Sequence, residues 1–368
     1  MTDAADAHPL ARHALLVLGM HRSGTSALTR VLGLCGAALP RHNMDAADSN
    51  ALGFWEPQPI VDAHDRFLSE AGTRWEAIAD YPPAMFASET AAACRRILAD
   101  LVRREYGDVP LFILKDPRVS RLMPLWRPVL GELGAAPRIV IMVRNPLEIA
   151  GSMKQRDGWG EHRALMVWLR YMLAAERDTR DLPRCFVGYG QLMNDWRTVV
   201  DTISQQLGIA FARRDSAIEL QIDGFVRPDL RHHRHQADAL LQRDDIAGCV
   251  KLAYRCLTDA TEAGTVDQSA LDEIAGALDE AEATLARKTH RKAGPAPVRK
   301  AAQETDNKPE FDDTLTALML AEIEQAIGLA ERAERTLGEI RATWSWRLTK
   351  PLRALGRMLG RRGRPTTP

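Results

Sequence analysis

The stretch Gly19-Met20-His21-Arg22-Ser23-Gly24-Thr25-Ser26 constrains this chain more than any other, because it stands between an apolar run, Ala14 to Leu18, and a helical pattern from Thr25 to Cys35. A glycine-rich turn that leaves a buried strand and opens a helix can point successive backbone N–H groups inward, and the helix N-terminus adds a positive partial charge. Such a turn can grip an oxyanion. Three further compact apolar runs, Leu111 to Leu114, Ile139 to Val143 and Cys185 to Val187, read as buried parallel strands. Helical patterns separate them at Ser88 to Tyr106, Pro146 to Lys154, Glu161 to Thr179 and Leu192 to Leu207. Strands alternating with helices predict an α/β fold: a P-loop-type doubly wound parallel sheet flanked by helices, with ligands outside the carboxyl ends of the strands.

The loop keeps the two glycine positions and the final hydroxyl of a Walker A loop, but Thr25 stands where that loop has its lysine. A kinase or NTPase needs the lysine for the terminal phosphates and an acidic strand end for magnesium. The strand Ile139 to Val143 ends instead in Arg144. Arg22 then becomes the charge that faces the anion, which disfavours the P-loop kinase or NTPase alternative. A second oxyanion site is legible in Arg144-Asn145-Pro146: Pro146 can start a helix, and Ser152 lies eight residues beyond the arginine. A guanidinium–phosphate contact is charge-assisted and contributes about 1.5–3 kcal/mol. The plainer reading is an arginine capping a strand beside a surface serine.

Together the two sites resemble PAPS-dependent sulfotransferases, whose 5′-phosphosulfate loop has the form Arg/Lys-Ser-Gly-Thr-Thr/Ser and whose 3′-phosphate is held by an arginine and a serine eight apart. Arg22 to Ser26, and Arg144 with Ser152, match those patterns. Lys115-Asp116-Pro117 after a strand is similar to the Lys-Asp-Pro of tyrosylprotein sulfotransferases, and Tyr189 resembles the family's Tyr-x-x-Leu segment. The resemblance runs from about Leu15 to Leu207 and is strongest to bacterial members carrying the full loop. It implies PAPS as co-substrate, adenosine 3′,5′-bisphosphate as product, a hydroxyl acceptor and no obligatory metal. Gly19, Arg22, Ser23, Gly24, Thr25 and Ser26 would hold the 5′ end, Arg144 and Ser152 the 3′-phosphate, and Tyr189 would stack near the adenine. Lys115 would join Arg22 at the transferring group.

A hydroxyl acceptor requires a general base. Glu56, in Gly53-Phe54-Trp55-Glu56, follows the first helix much as the catalytic glutamate does in tyrosylprotein sulfotransferases. Asp62, His64 and Asp65 are the alternatives, and a charged side chain on a helix face is commonly just solvated. The dense cationic segment Arg227 to His235, with Arg231 at its centre, is expected to close over PAPS or an anionic acceptor; a solvated basic loop is the plainer reading. Its adjacent histidines point apart on any regular backbone, so no metal site is expected.

Composition sets the remaining expectations. Lysine plus arginine equal aspartate plus glutamate at 49 each, which removes any global field for nucleic acid. Five scattered cysteines without a Cys-x-x-Cys pair suit a reducing cytoplasm, and an N-terminus carrying Asp3 and Asp6 lacks the basic start of a signal peptide. The reading divides the chain into a flexible 1–13, an α/β domain 14–285, a polar linker 286–312, an amphipathic helix 313–342 and a basic tail 343–368. Leu320, Ile323, Ile327, Ala330 and Leu337 stripe that helix, which makes self-association a candidate role. In the tail, Trp344, Trp346, Leu348, Leu352, Leu355 and Leu359 alternate with basic residues, the pattern of an interfacial helix on anionic lipid at the inner face of the cytoplasmic membrane. A solvated tail and a protein-docking helix are the competing readings. Its Trp-Arg-Leu-Thr-x-Pro-Leu-Arg stretch resembles tails of bacterial surface-polysaccharide enzymes, which points to a glycan or glycolipid acceptor. A catalytically silent nucleotide-binding scaffold is a further alternative.

Overall fold

The computed structural model describes residues 12–45, 53–226 and 237–292, together with 316 and 319–323. Arg231 and its cationic segment, most of 313–342 and the tail 343–368 lie outside the described residues. Four parallel strands, β1 Arg12–Leu18, β2 Leu111–Leu114, β3 Ala135–Val143 and β4 Arg184–Gly188, form one sheet in the order β2-β1-β3-β4. Each of the four predicted apolar runs is one of these strands. They are apolar throughout because both faces are covered: Ala14, Leu16 and Leu18 of β1 enter one core, while Leu15 and Val17 enter the other.

Between β1 and β2 run α1 Thr25–Leu34, α2 Gln58–Glu70, α3 Pro83–Phe86 and α4 Glu89–Tyr106; α5 Val119–Glu132 connects β2 to β3. Helices α6 Pro146–Asp157 and α7 Glu161–Arg177 connect β3 to β4. After β4 come α8 Tyr189–Asn194, α9 Trp196–Leu207, α10 Ser216–Phe225, α11 Ala237–Gln242, α12 Gly248–Ala263 and α13 Gln268–Lys292. Local chemistry sets the ends that frame the site. Asn145 accepts a hydrogen bond from the Leu147 N–H, Pro146 occupies the first turn of α6, and Gly158 ends that helix in the left-handed region.

Three boundaries differ from the sequence reading. The helix predicted over 192–207 is two helices, because Asp195 leaves helical geometry and turns its carboxylate to cap the Thr198 N–H. Strand β1 begins at Arg12, inside the stretch read as flexible. At the other end α13 continues to Lys292, inside the predicted linker. Buried Arg170 of α7 secures that helix by donating to Asp279 at 2.9 Å and to Glu282 at 2.5 Å. Met319, Leu320 and Ile323 are buried in the same core as Leu271, Ile274 and Leu278, so the packed unit does not end at 285. The first two residues of the stripe proposed for self-association are thereby covered. All five cysteines are buried free thiols, and no described helix is long and apolar enough to cross a membrane.

Because β1 is flanked by β2 and β3, the loops leaving the carboxyl ends of these strands meet over the middle of the sheet. Strand order reverses between β1 and β3, and in open parallel sheets this is where ligands collect. The Gly19–Gly24 loop leaves β1, Lys115 follows β2 and Arg144 follows β3.

Candidate active site

The loop after β1 is held from within and from below. Ser23 is buried and its hydroxyl donates to the Met20 carbonyl, while the Gly19 N–H donates to the Ser120 hydroxyl at 2.9 Å. Gly24 is the residue before α1 and lies at φ 94°, so the N-terminus of α1 and buried Thr25 open directly onto the loop. Arg22 holds φ 67°, a backbone region that costs a non-glycine residue about 1–3 kcal/mol. Arg144 Nη1 donates to the Arg22 carbonyl at 2.8 Å and so braces that conformation.

The structure brings the second sequence motif to the first. Arg22 Nε donates to Ser152 Oγ at 2.7 Å, across 130 residues of sequence. Arg144 is tied to buried Glu148 at 2.8 Å and lies 4.2 Å above the ring of Tyr189. Arginine and serine therefore converge, but Ser152 bonds to Arg22 and not to Arg144. Burial lowers the pKa of Arg22, and the like charges of Arg156 and Arg144 lower it further. A polyanion placed among these guanidiniums would relieve that repulsion, so the donor set fits a phosphate-bearing anion.

Tyr189 follows β4 and opens α8. It is buried, and its ring presses on the loop: a Cβ added at Gly24 would stand 2.3 Å from Tyr189 Cδ2. The ring is a wedge between the loop and Arg144. Gly24→Ala is therefore expected to weaken adenosine 3′,5′-bisphosphate binding at least about tenfold, roughly 1.4 kcal/mol, in calorimetry. Adding Tyr189→Ala should restore only part of it, because the positive φ persists. Full affinity in the single variant would remove Gly24 from the site.

Lys115 forms the hub on the β2 side. It is 2 % exposed, and its ammonium donates to Ser26 Oγ at 2.9 Å, to the Phe54 carbonyl at 2.9 Å and to Glu56 Oε1 at 2.5 Å. Three donors meet three acceptors, which is how an interior tolerates a lysine. Glu56 is buried as well. Burial raises its pKa, and the attraction of Lys115 offsets part of the rise. A buried carboxyl whose pKa is raised in this way is suited to accept a proton.

The alternative bases are engaged elsewhere. His64 is fully buried, with Nδ1 2.7 Å from Asp116 Oδ2, and its Nε2 accepts the Trp126 indole N–H at 2.9 Å. Asp65 forms a two-pronged pair with Arg118 at 2.7 and 2.9 Å. Asp62 faces solvent and accepts from Gln58. Burial alone would raise the Asp116 carboxyl, but Arg118 and the His64 N–H hold it well below the usual carboxylate range. Sequence reasoning missed Asp116, Arg118, Trp126 and the role of His64; the Lys-Asp-Pro motif was the available signal. It also passed over His21, which is buried between loop and aromatic wall with its ring centroid 4.2 Å from that of Trp75. Burial, with Arg118 and Arg156 nearby, holds the His21 pKa well below its usual value. Among the described residues no His, Cys, Asp and Glu cluster could hold a metal ion.

No curated protein matches the sequence. Among solved structures, the sulfotransferase domain from the olefin synthase of Synechococcus PCC 7002 is similar at 17% identity and a TM-score of 0.37, covering 71% of this chain and 97% of that one. The sulfotransferase domain from the curacin biosynthetic pathway gives 15% and 0.36, covering 85% and 97%. Sulfotransferase STF1 from Mycobacterium tuberculosis gives 14% and 0.31, covering 57% and 70%. With TM-scores this low, nothing about the ligands of this chain follows from these likenesses. The sequence itself is decisive: a family profile described as "Sulfotransferase family" matches residues 14–213, more than half of the 368 residues and the whole of the sheet from Ala14 onward. The chain belongs to the sulfotransferase family.

Proposed function

We propose that this protein transfers a sulfuryl group from PAPS to a hydroxyl of a glycan or glycolipid. The observation that carries this reading is the meeting of Arg22 with Ser152 and Arg144 over the carboxyl ends of β1 and β3, beside the Lys115–Glu56 pair at the end of β2. The first group offers cations and hydroxyls for two separated phosphate groups, and the second offers a base. Loop N–H groups, Thr25 and Ser26 would hold the 5′-phosphosulfate, and Arg144 and Ser152 the 3′-phosphate. In the transfer, the acceptor oxygen bonds to sulfur as the bridging S–O bond breaks. The acceptor proton passes to the Glu56 carboxylate, and Arg22 and Lys115 offset the charge left on the departing phosphate. The acceptor class rests on the resemblance of the 346–353 stretch to tails of surface-polysaccharide enzymes.

Calorimetry with adenosine 3′,5′-bisphosphate and with ATP tests the donor site, and the bisphosphate is expected to bind at least about tenfold more tightly. Tighter ATP binding would favour a kinase or NTPase. Transfer of radiolabelled sulfate from PAPS to a panel of glycans, glycolipids and simple phenols tests the reaction. Bisphosphate binding without transfer to any of them would leave a silent nucleotide-binding scaffold.

A further inference from the structure

The segment carrying Glu56 and the turn carrying Lys115 are cross-linked at three places: Glu56 to Lys115, His64 to Asp116 and Asp65 to Arg118. The first pair is the chemistry proposed above and the third is partly exposed, with Asp65 at 48 %. The second is fully buried on both sides. We propose that His64 is a positioning residue of this site, a strut whose bond to Asp116 keeps the Glu56 carboxyl in register with the Lys115 ammonium. This inference rests on the reading of Glu56 and Lys115 as the reacting pair.

Hydrogen bonding fixes what His64 does. The Trp126 indole can only donate, so His64 Nε2 must accept from it, and the ring proton sits on Nδ1, aimed at Asp116 Oδ2. The other Asp116 oxygen, Oδ1, accepts from the Arg118 backbone N–H at 3.0 Å and from Arg118 Nη1 at 2.9 Å. Among the described residues, His64 is the hydrogen-bond donor to Oδ2. Without it a buried carboxylate oxygen is left unmet, which costs enough to make the turn rearrange. That turn begins with Lys115. On the other side, Pro57 is the cap of α2, so Glu56 stands immediately ahead of the helix that carries His64 and moves with it. The relay Trp126–His64–Asp116 thus joins α5, α2 and the end of β2. A misplacement of about 1 Å between reacting groups can cost on the order of 100-fold in rate.

The charged groups facing Glu56 are Lys115, Asp116 and Arg118; His64 faces the Asp116 carboxylate and the neutral Trp126 indole. Loosening the strut should therefore be read most directly at Glu56, whose carboxyl titration can be followed by carbon-13 NMR without any acceptor. In His64→Phe the Glu56 midpoint is expected to rise by about one pH unit as Lys115 moves away. In His64→Asn, whose amide N–H can replace Nδ1–H toward Asp116, the midpoint should stay within a few tenths of a unit of the parent. Both variants lose the Trp126 contact, so both should lower Tm, and only the first should move Glu56. An unchanged midpoint in His64→Phe, or an equal displacement in both, overturns the proposal. Should His64→Phe not fold, His64→Gln replaces it, since its amide reaches toward Trp126 and not Asp116, and the same two outcomes decide. Retained turnover in Glu56→Gln would instead defeat the reading of Glu56 as base, leaving the strut to be judged on its own titration.

Discussion

Arg22→Ala is expected to lower turnover of labelled PAPS by about 10³-fold or more, with thermal stability close to the parent. The magnitude follows from where the charge sits. Arg22 is the one loop side chain that reaches across to Ser152, and it does so from a left-handed backbone position braced by Arg144. A transferring sulfuryl group has little covalent chemistry for a protein to assist, so oriented cations carry most of the stabilisation. Arg22→Lys keeps the charge and loses the planar fork, and should recover only a small fraction of the rate. Arg144→Ala, by contrast, should chiefly weaken bisphosphate binding, because Arg144, beside Tyr189 and Glu148, stands at the proposed 3′-phosphate site. It will also loosen the Arg22 backbone, so a smaller loss of turnover accompanies it. Turnover within about tenfold of the parent in Arg22→Ala would overturn the assignment.

Much of this site was legible because its signals are local. The strands announced themselves as apolar runs with both faces buried, and the loop as two glycines ahead of paired hydroxyls. Helix α5 was not legible: Pro124 and Pro128 interrupt its pattern, and the backbone leaves helical geometry at Leu122. Glu56 could be nominated from its motif, but nothing local said that it would be buried against Lys115. Such pairings join positions far apart in sequence, 59 residues for Lys115 and Glu56 and 52 for His64 and Asp116, and depend on which strand lies beside which. His64 read as one of several titratable groups on a helix face. Its role emerges only when Asp116 and Trp126 are placed around it. Tyr189 was recognised by spacing, but its packing against Gly24 is a property of the folded loop that spacing does not carry.

Lys115→Met separates the two tasks of the Lys115–Glu56 pair. Methionine fills nearly the same space but leaves Ser26, the Phe54 carbonyl and Glu56 without their shared donor. Burial already raises the Glu56 pKa, and Lys115 is the largest influence opposing it, so its removal sends the pKa higher. A protonated Glu56 cannot accept the acceptor's proton. In the parent, turnover therefore falls as pH falls through the raised Glu56 pKa, above the ordinary value of about 4.3. In Lys115→Met that acid limb moves to still higher pH, on top of a loss of about 10²–10³-fold at the plateau. Stability carries the matching sign. A glutamate whose folded pKa exceeds its unfolded one favours the fold below the unfolded pKa, and that contribution is lost as pH rises through the folded pKa. The Tm deficit of Lys115→Met should therefore widen as pH is raised through that range. At neutral pH, breaking one side of a buried pair costs about 3–5 kcal/mol. Adding Glu56→Gln removes the stranded carboxyl and should recover much of that stability while restoring no turnover. Recovery of turnover in the double variant, or an acid limb that stays in place in Lys115→Met, would show that Glu56 and Lys115 do not share the proton-transfer step.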